Sequence, residues 1–333
     1  MALRHVTSDV NSTVRQRALL PHQAQLEALK ALERFRAIRT IDIAVTCYPE
    51  RPYKAALTAA QRLVRGMVKK ELIRRYRTDR FQTVYGLTKR GADWLDEHGV
   101  EASSSVRRVS DMTNPEHRLW LQFLALCAEA RGLRAVTESE LLAELNRDVS
   151  EVAKTRQGYL EVVTHQGGAR QKRLLRPDCV AFEPDGVTWF EVDRSKRGAE
   201  REASLFALAR AMGRETADGH VLRRVVVFCK TERIEQRALA VLRRAAQELS
   251  GKVLIEGRQH LREIEPGLFE VWTAELQSFA GGTVQLSDIR LGHVIVQQLP
   301  TWLPKVRIDS RNTHSMAGWF PENYLPYRKH GGW

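Results

Sequence analysis

Asp178, Glu191 and Asp193 are the residues whose types and spacing could do chemistry, and that chemistry is the binding of a hard divalent cation. Between them lies the tetrad Glu183-Pro184-Asp185-Gly186, and Pro-Asp-Gly is turn chemistry. Residues 179–182 and 187–190 read as the flanking strands. With the tetrad as the loop of a β-hairpin, Phe182 faces Val187 and Asp178 faces Glu191. Like charges directly across a ladder repel, so a purely structural hairpin has reason to avoid this pairing. A cation such as Mg²⁺ or Mn²⁺, liganded by carboxylate oxygens, turns that cost into a site. Asp193 shares a face with Glu191 by two-residue alternation and could add a third oxygen. The same register sets Asp193 opposite Arg176, so a cross-strand ion pair is the competing expectation. Lys196, three residues on, could bring an ammonium to the site or be a solvated turn cation.

These residues need a scaffold, and the flanking sequence predicts an α/β one. Asn114-Pro115 starts a helix over 116–131 with Leu119, Trp120, Phe123 and Leu126 on its apolar face. His117 stands at its start, where histidines more often cap or pack than catalyse. A second helix is expected near 137–147 and a strand at 159–164, followed by a break at Gly167-Gly168. Lys172-Arg173-Leu-Leu-Arg176 then leads into the hairpin. Arg173 and Arg176 could hold a phosphate or only balance the acidic hairpin. A helix at 200–213, a buried apolar strand at 224–229 and a helix at 233–249 complete the pattern. Helix, strand, strand, strand, helix, strand is the order of a three-layer core.

The first hundred residues differ in kind. Of the +13 net charge, residues 1–110 supply +10, from 21 Lys/Arg against 11 Asp/Glu; the other residues hold 32 against 29. Such an excess points to a polyanionic partner. Helices are expected at 22–37 and 41–47, with a loop bounded by Pro49 and Pro52. Thr58-Ala-Ala-Gln61 then reads as a capping box that starts or reinforces a third helix. That helix buries Leu57, Leu63, Val64 and Met67, while Arg62, Arg65 and Lys69 form a basic stripe on another face. Residues 73–77 and 81–85 read as a hairpin with a cationic tip bearing Arg74, Arg75, Arg77 and Arg80. Thr88 caps the helix that closes it.

Composition bounds the rest. The length of 333 residues allows two domains with separate cores. Cys47, Cys127, Cys179 and Cys229 are scattered singly, which suits a reducing cytoplasm and disfavours zinc. The first residues lack the apolar core of a signal peptide, and residues 119–130 are too short and polar to span a bilayer. No membrane partner is expected. The chain contains no GxxxxGK[ST], GxGxxG, GxSxG or HExxH motif. Domains are expected at 1–100 and 115–255, joined by a linker at 101–114. A C-terminal extension over 256–333 follows, with strand-like pieces at 253–255 and 293–296. In its tail Trp302, Trp319, Phe320, Tyr324, Tyr327 and Trp333 interleave with Lys305, Arg307, Arg311, Arg328 and Lys329. That tail either packs on a protein surface or stacks on bases.

Two resemblances follow from these residues. Three helices, a hairpin and a closing helix, with Tyr85-Gly-Leu-Thr-Lys-Arg-Gly91 ahead of Leu95, resemble a winged helix-turn-helix. Pro177-Asp178 on one strand and Glu191 on the next resemble the PD-(D/E)XK restriction-endonuclease-like core, giving α+β overall. The winged helix joined to Arg176-Pro177-Asp178 and Phe190-Glu191-Val192-Asp193-Arg194 is similar to the replication-relaxation family of bacterial mobile elements, over about residues 20–250. The resemblance implies Asp178 as a metal-bridging aspartate and Glu191 as the second ligand. It also implies a lysine where this chain has Asp193, and that departure puts hydrolysis in question. Three functions stand open: a Mg²⁺-dependent endodeoxyribonuclease, a non-catalytic replication or transfer factor, and a transcriptional regulator. Double-stranded DNA is the expected partner of each. Other mobile-element proteins and a second copy of the chain are the further candidates.

Overall fold

The first core is built from short helices whose ends are set by local hydrogen bonds. The computed structural model describes residues 20–78, 82–102, 115–130, 132–166, 169–193, 198–249, 259–278, 282, 284–299 and 303. The chain divides into two compact units, residues 1–113 and 114–333. In the first, α1 (Pro21–Phe35), α2 (Thr40–Cys47) and α3 (Tyr53–Lys69) precede a hairpin of β1 (Ile73–Arg77) and β2 (Thr83–Leu87), then α4 (Lys89–Glu97). Proline opens α1, where its missing N–H costs nothing. Asp42 accepts the Arg39 backbone N–H at 3.0 Å and the Arg39 guanidinium at 2.7 and 2.9 Å, pinning the start of α2. Ile38 exchanges backbone hydrogen bonds with Tyr85, adding a short third rung to the hairpin.

Two details of this unit depart from expectation. Thr58 does not cap α3; it lies inside the helix, and its hydroxyl donates back to the Lys54 carbonyl at 2.8 Å. The buried stripe of α3 is Ala56, Ala60, Val64 and Met67, with Leu57 and Leu63 only half-buried at its margin. Thr88 does cap α4, accepting the Gly91 N–H at 3.0 Å. Gly91 itself is dictated by space, because a Cβ there would lie 2.1 Å from the Leu72 carbonyl oxygen.

The second unit is a seven-stranded mixed sheet with helices packed on it. Its elements are α5 (Pro115–Ala130), β3 (Arg134–Thr137), α6 (Glu138–Leu145), β4 (Leu160–Gln166), β5 (Ala169–Leu175), β6 (Cys179–Glu183), β7 (Gly186–Asp193), α7 (Ala199–Arg210), β8 (Leu222–Cys229), α8 (Glu232–Leu249), β9 (Leu261–Glu265), β10 (Leu268–Ser278) and β11 (Val284–Gln298). Strand order is β3-β6-β7-β8-β11-β10-β9. The first three strands pair antiparallel, β8 lies parallel to both β7 and β11, and β10 and β9 return antiparallel. Val180, Val187, Trp189, Val225 and Val227 form one apolar cluster with residues of α7 and α8. The α5 helix packs against β3, β6 and β7.

The sheet corrects the expected strand set. The first strand of the core is β3, which sequence periodicity did not flag, and not the segment at 159–164. That segment is β4, which pairs only with β5 in a separate two-stranded sheet. The strands of the expected C-terminal extension also belong to this unit, since β11 runs beside β8 in the middle of the sheet. Residues 253–255 and the aromatic tail beyond Leu303 lie outside the described residues. Among the described residues no helix is long and apolar enough to cross a membrane.

Candidate functional site

A cationic surface is prepared by α3 and the β1–β2 hairpin. Burying Ala56, Ala60, Val64 and Met67 against the first core turns Arg62, Arg65 and Lys69 outward, and all three are exposed. Arg74, Arg75 and Arg77 of β1 are exposed as well. None of these six forms a salt bridge with a described residue; Arg75 reaches only the Thr83 hydroxyl, at 3.5 Å. Arg80 lies outside the described residues. A helix face and a hairpin left unneutralised in this way can contact phosphates.

The acidic hairpin has the register its turn residues demand. Pro184 and Asp185 form the two-residue turn, Phe182 pairs with Val187, and Cys179 pairs with Phe190. Gly186 has φ 143°, and a Cβ there would lie 2.3 Å from the Val221 carbonyl oxygen. The ladder stops at Cys179. The Asp178 N–H donates to the Phe190 carbonyl at 3.0 Å, while its Oδ2 accepts the Val192 N–H at 2.7 Å. The same oxygen lies 3.3 Å from His117 Nε2 at the start of α5. Asp178 thus spends one oxygen on the backbone of the neighbouring strand instead of standing as a plain cross-strand partner of Glu191.

Glu191 and Asp193 are held by different neighbours. Glu191 is half-buried and accepts the Trp189 indole N–H at 2.7 Å. Trp189 is fully buried, so this bond satisfies a donor that would otherwise be stranded. Asp193 is 3 % exposed, and its Oδ1 lies 3.5 Å from the Arg201 guanidinium of α7. The expected Asp193–Arg176 pair is not formed, because Arg176 follows the end of β5. Its guanidinium donates to the Gln157 carbonyl and lies 3.4 Å from Glu138. Arg173 pairs with Glu200 at 2.7 Å. Lys196 lies outside the described residues. Among the described residues no three His, Cys, Asp or Glu side chains gather closely enough to hold one metal ion.

A second polar row crosses the sheet and was not flagged by the sequence. Thr188 pairs with Arg224, Arg224 with His293, and His293 with Glu270, each on the next strand over. The Arg224 guanidinium bonds both oxygens of Asp185 at 2.8 and 2.9 Å and lies 3.5 Å from Glu183. Those bonds hold the Asp185 carboxyl below its ordinary range. Burial, aided by the Arg290 charge, pushes the His293 imidazole down to about 4. An arginine pair ahead of Val-Val-Val in β8 was the available signal, masked by the apolar run behind it. The four cysteines are buried and unbridged, and burial pushes the Cys47 thiol up to about 12.

No protein-family model, curated protein or solved structure shows a significant match to this chain.

Proposed function

We propose that the chain is a duplex-DNA-binding protein, with an N-terminal winged helix that engages the DNA and a second unit of PD-(D/E)XK nuclease-like architecture. The observation that carries this reading is the stripe of Arg62, Arg65 and Lys69, exposed on α3 and unneutralised by any described carboxylate. A helix of this kind fits a major groove, and the β1 arginines beside it fit neighbouring phosphates. The element order supports the second half of the reading. With α6 and the separate β4–β5 hairpin inserted between β3 and β6, the elements of the main sheet run from α5 through β3, β6, β7 and α7 to β8 as one helix, three antiparallel strands, a second helix and a parallel strand. Replication or transfer of a mobile element in the cytoplasm is the setting this combination suits. A mobility-shift titration with duplex DNA tests it, and Arg62→Ala/Arg65→Ala/Lys69→Ala should move the shift to much higher protein concentration while the fold persists.

Metal-dependent cleavage of phosphodiesters is the second reading, favoured by the placing of Asp178 and Glu191 at one end of adjoining strands. Carboxylate oxygens are the donors that Mg²⁺ or Mn²⁺ takes, and the carboxylates of these two residues would be its protein ligands. A bound ion would acidify an attacking water and offset charge on the phosphate. Val192 and Trp189 fix the two carboxylates through the hydrogen bonds already described. Asp193, where a lysine is implied, offers no ammonium to the site, which tilts the balance towards a non-catalytic accessory factor. A plasmid-nicking assay with Mg²⁺ or Mn²⁺ decides between them. Cutting lost in both Asp178→Asn and Glu191→Gln supports an enzyme, and intact duplex binding without cutting supports the accessory factor.

A further inference from the structure

The hairpin of β10 and β11 is longer than the sheet that holds it. On the outer side of β10, β9 pairs only with Leu268 to Val271. On the outer side of β11, β8 pairs only with His293 to Gln298. The Trp272 N–H still donates to the His260 carbonyl at 2.8 Å, and beyond it Thr273–Ser278 and Val284–Ile289 pair only with each other among the described residues. A register shift between Val271 and Trp272 marks where this arm leaves the sheet, and such bulges turn a strand pair in a new direction. Two strands with an uncovered apolar face are marginal in water, whereas three or four can be stable.

The arm carries such a face. Leu276 pairs directly with Leu286, and Ser278 pairs with Val284, so alternation puts Leu276, Leu286 and Val284 on one side at the tip, with Trp272, Ala274, Asp288 and Arg290 on the same side nearer the sheet. Their exposures are 72 % for Leu276, 56 % for Val284 and 43 % for Leu286. The outer edge of β10 is undefended, since residues 273–278 contain no Lys, Arg or Pro and only one charge, Glu275. Natural edges that must stay unpaired are usually guarded by such residues.

We infer that this arm is a self-association surface, on which β10 of a second copy of the chain pairs antiparallel, edge to edge, about a two-fold axis near Leu276. The charges favour that occupant. Around this axis Leu276 meets its own copy and Glu275 meets Gln277, so no like charges oppose each other. The arm carries Glu275 and Asp288 against Arg290 alone, which disfavours a nucleic acid on it. Joining two arms gives a four-stranded sheet with one continuous apolar row and a closed, isologous contact. It would also give a DNA-binding chain two winged helices, although the surface is argued independently of that function.

The test is sedimentation velocity of the full chain across micromolar concentrations, without DNA. The wild type should populate a dimer. Leu276→Lys should weaken self-association about tenfold or more, through loss of apolar contact and Lys–Lys repulsion. Far-ultraviolet circular dichroism should be unchanged, because the side chain is exposed. Mixing Leu276→Lys with Leu276→Glu should restore a heterodimer, which a merely damaged arm would not do. A wild type that stays monomeric overturns the proposal, as does a Leu276→Lys protein that dimerises normally. A monomeric wild type whose DNA affinity falls in Leu276→Lys would assign the arm to nucleic acid instead, and also overturns it.

Discussion

The Asp178 carboxylate accepts the Val192 N–H at 2.7 Å, and that contact closes the hairpin that opens at Pro184 and Asp185. One side chain therefore does two jobs: it terminates a strand pair and places an acidic group beside Glu191. A neutral isostere separates them. Asp178→Asn keeps an acceptor for Val192 and should leave stability within about 1 kcal/mol of wild type, whereas Asp178→Ala strands the amide and should cost about 1–3 kcal/mol. Urea unfolding of both variants measures the difference. Equal losses would show that charge, and not the hydrogen bond, matters to the fold.

Gly91 makes a sharper demand on the first unit. A Cβ at this position would lie 2.1 Å from the Leu72 carbonyl oxygen, which is backbone and cannot swing aside. Gly91→Ala should destabilise this unit by about 1–3 kcal/mol or more. Thr88→Ala, which removes only the cap on α4, should cost about 1 kcal/mol. Thermal melts of the two variants should rank in that order.

His293 gives the protein a pH dependence of definite sign. Its folded-state value is pushed from 6.5 down to about 4, first by burial and then by Arg290 and Arg224, against the opposing pull of Glu270 and Asp185. Between those values the unfolded chain binds a proton that the folded chain refuses. Stability should therefore fall as pH drops from about 6.5 to about 4, then level off with respect to this group. His293→Gln should flatten that part of the profile. An identical slope in the variant would assign the loss to other groups.

The turn was legible because Pro-Asp-Gly specifies it locally, and the register of Cys179 with Phe190 followed by counting. The end of the ladder was not legible, because Asp178 turns its side chain onto the Val192 amide of the neighbouring strand, a bond that residue spacing does not reveal. That is also why Arg176 and Asp193 never meet: the count was extended past the last ladder pair. β3 escaped notice because it is only four residues long, and its final residue, Thr137, already serves the start of α6 by bonding Glu140. β4 has the alternation of a core strand, yet periodicity cannot say which sheet a strand joins. The first unit was easier, since its contacts are local and its stripe of cations survives any small error in helix bounds.

Duplex affinity as a function of salt tests the central claim most directly, with wild type compared against Arg62→Ala/Arg65→Ala/Lys69→Ala by fluorescence anisotropy. Each lost phosphate contact should lower the log–log salt slope by about 0.9. The triple variant should thus bind far more weakly and with a slope smaller by about 2–3. A variant with unchanged affinity and slope would contradict the account, because the cationic face of α3 would then have no part in holding DNA.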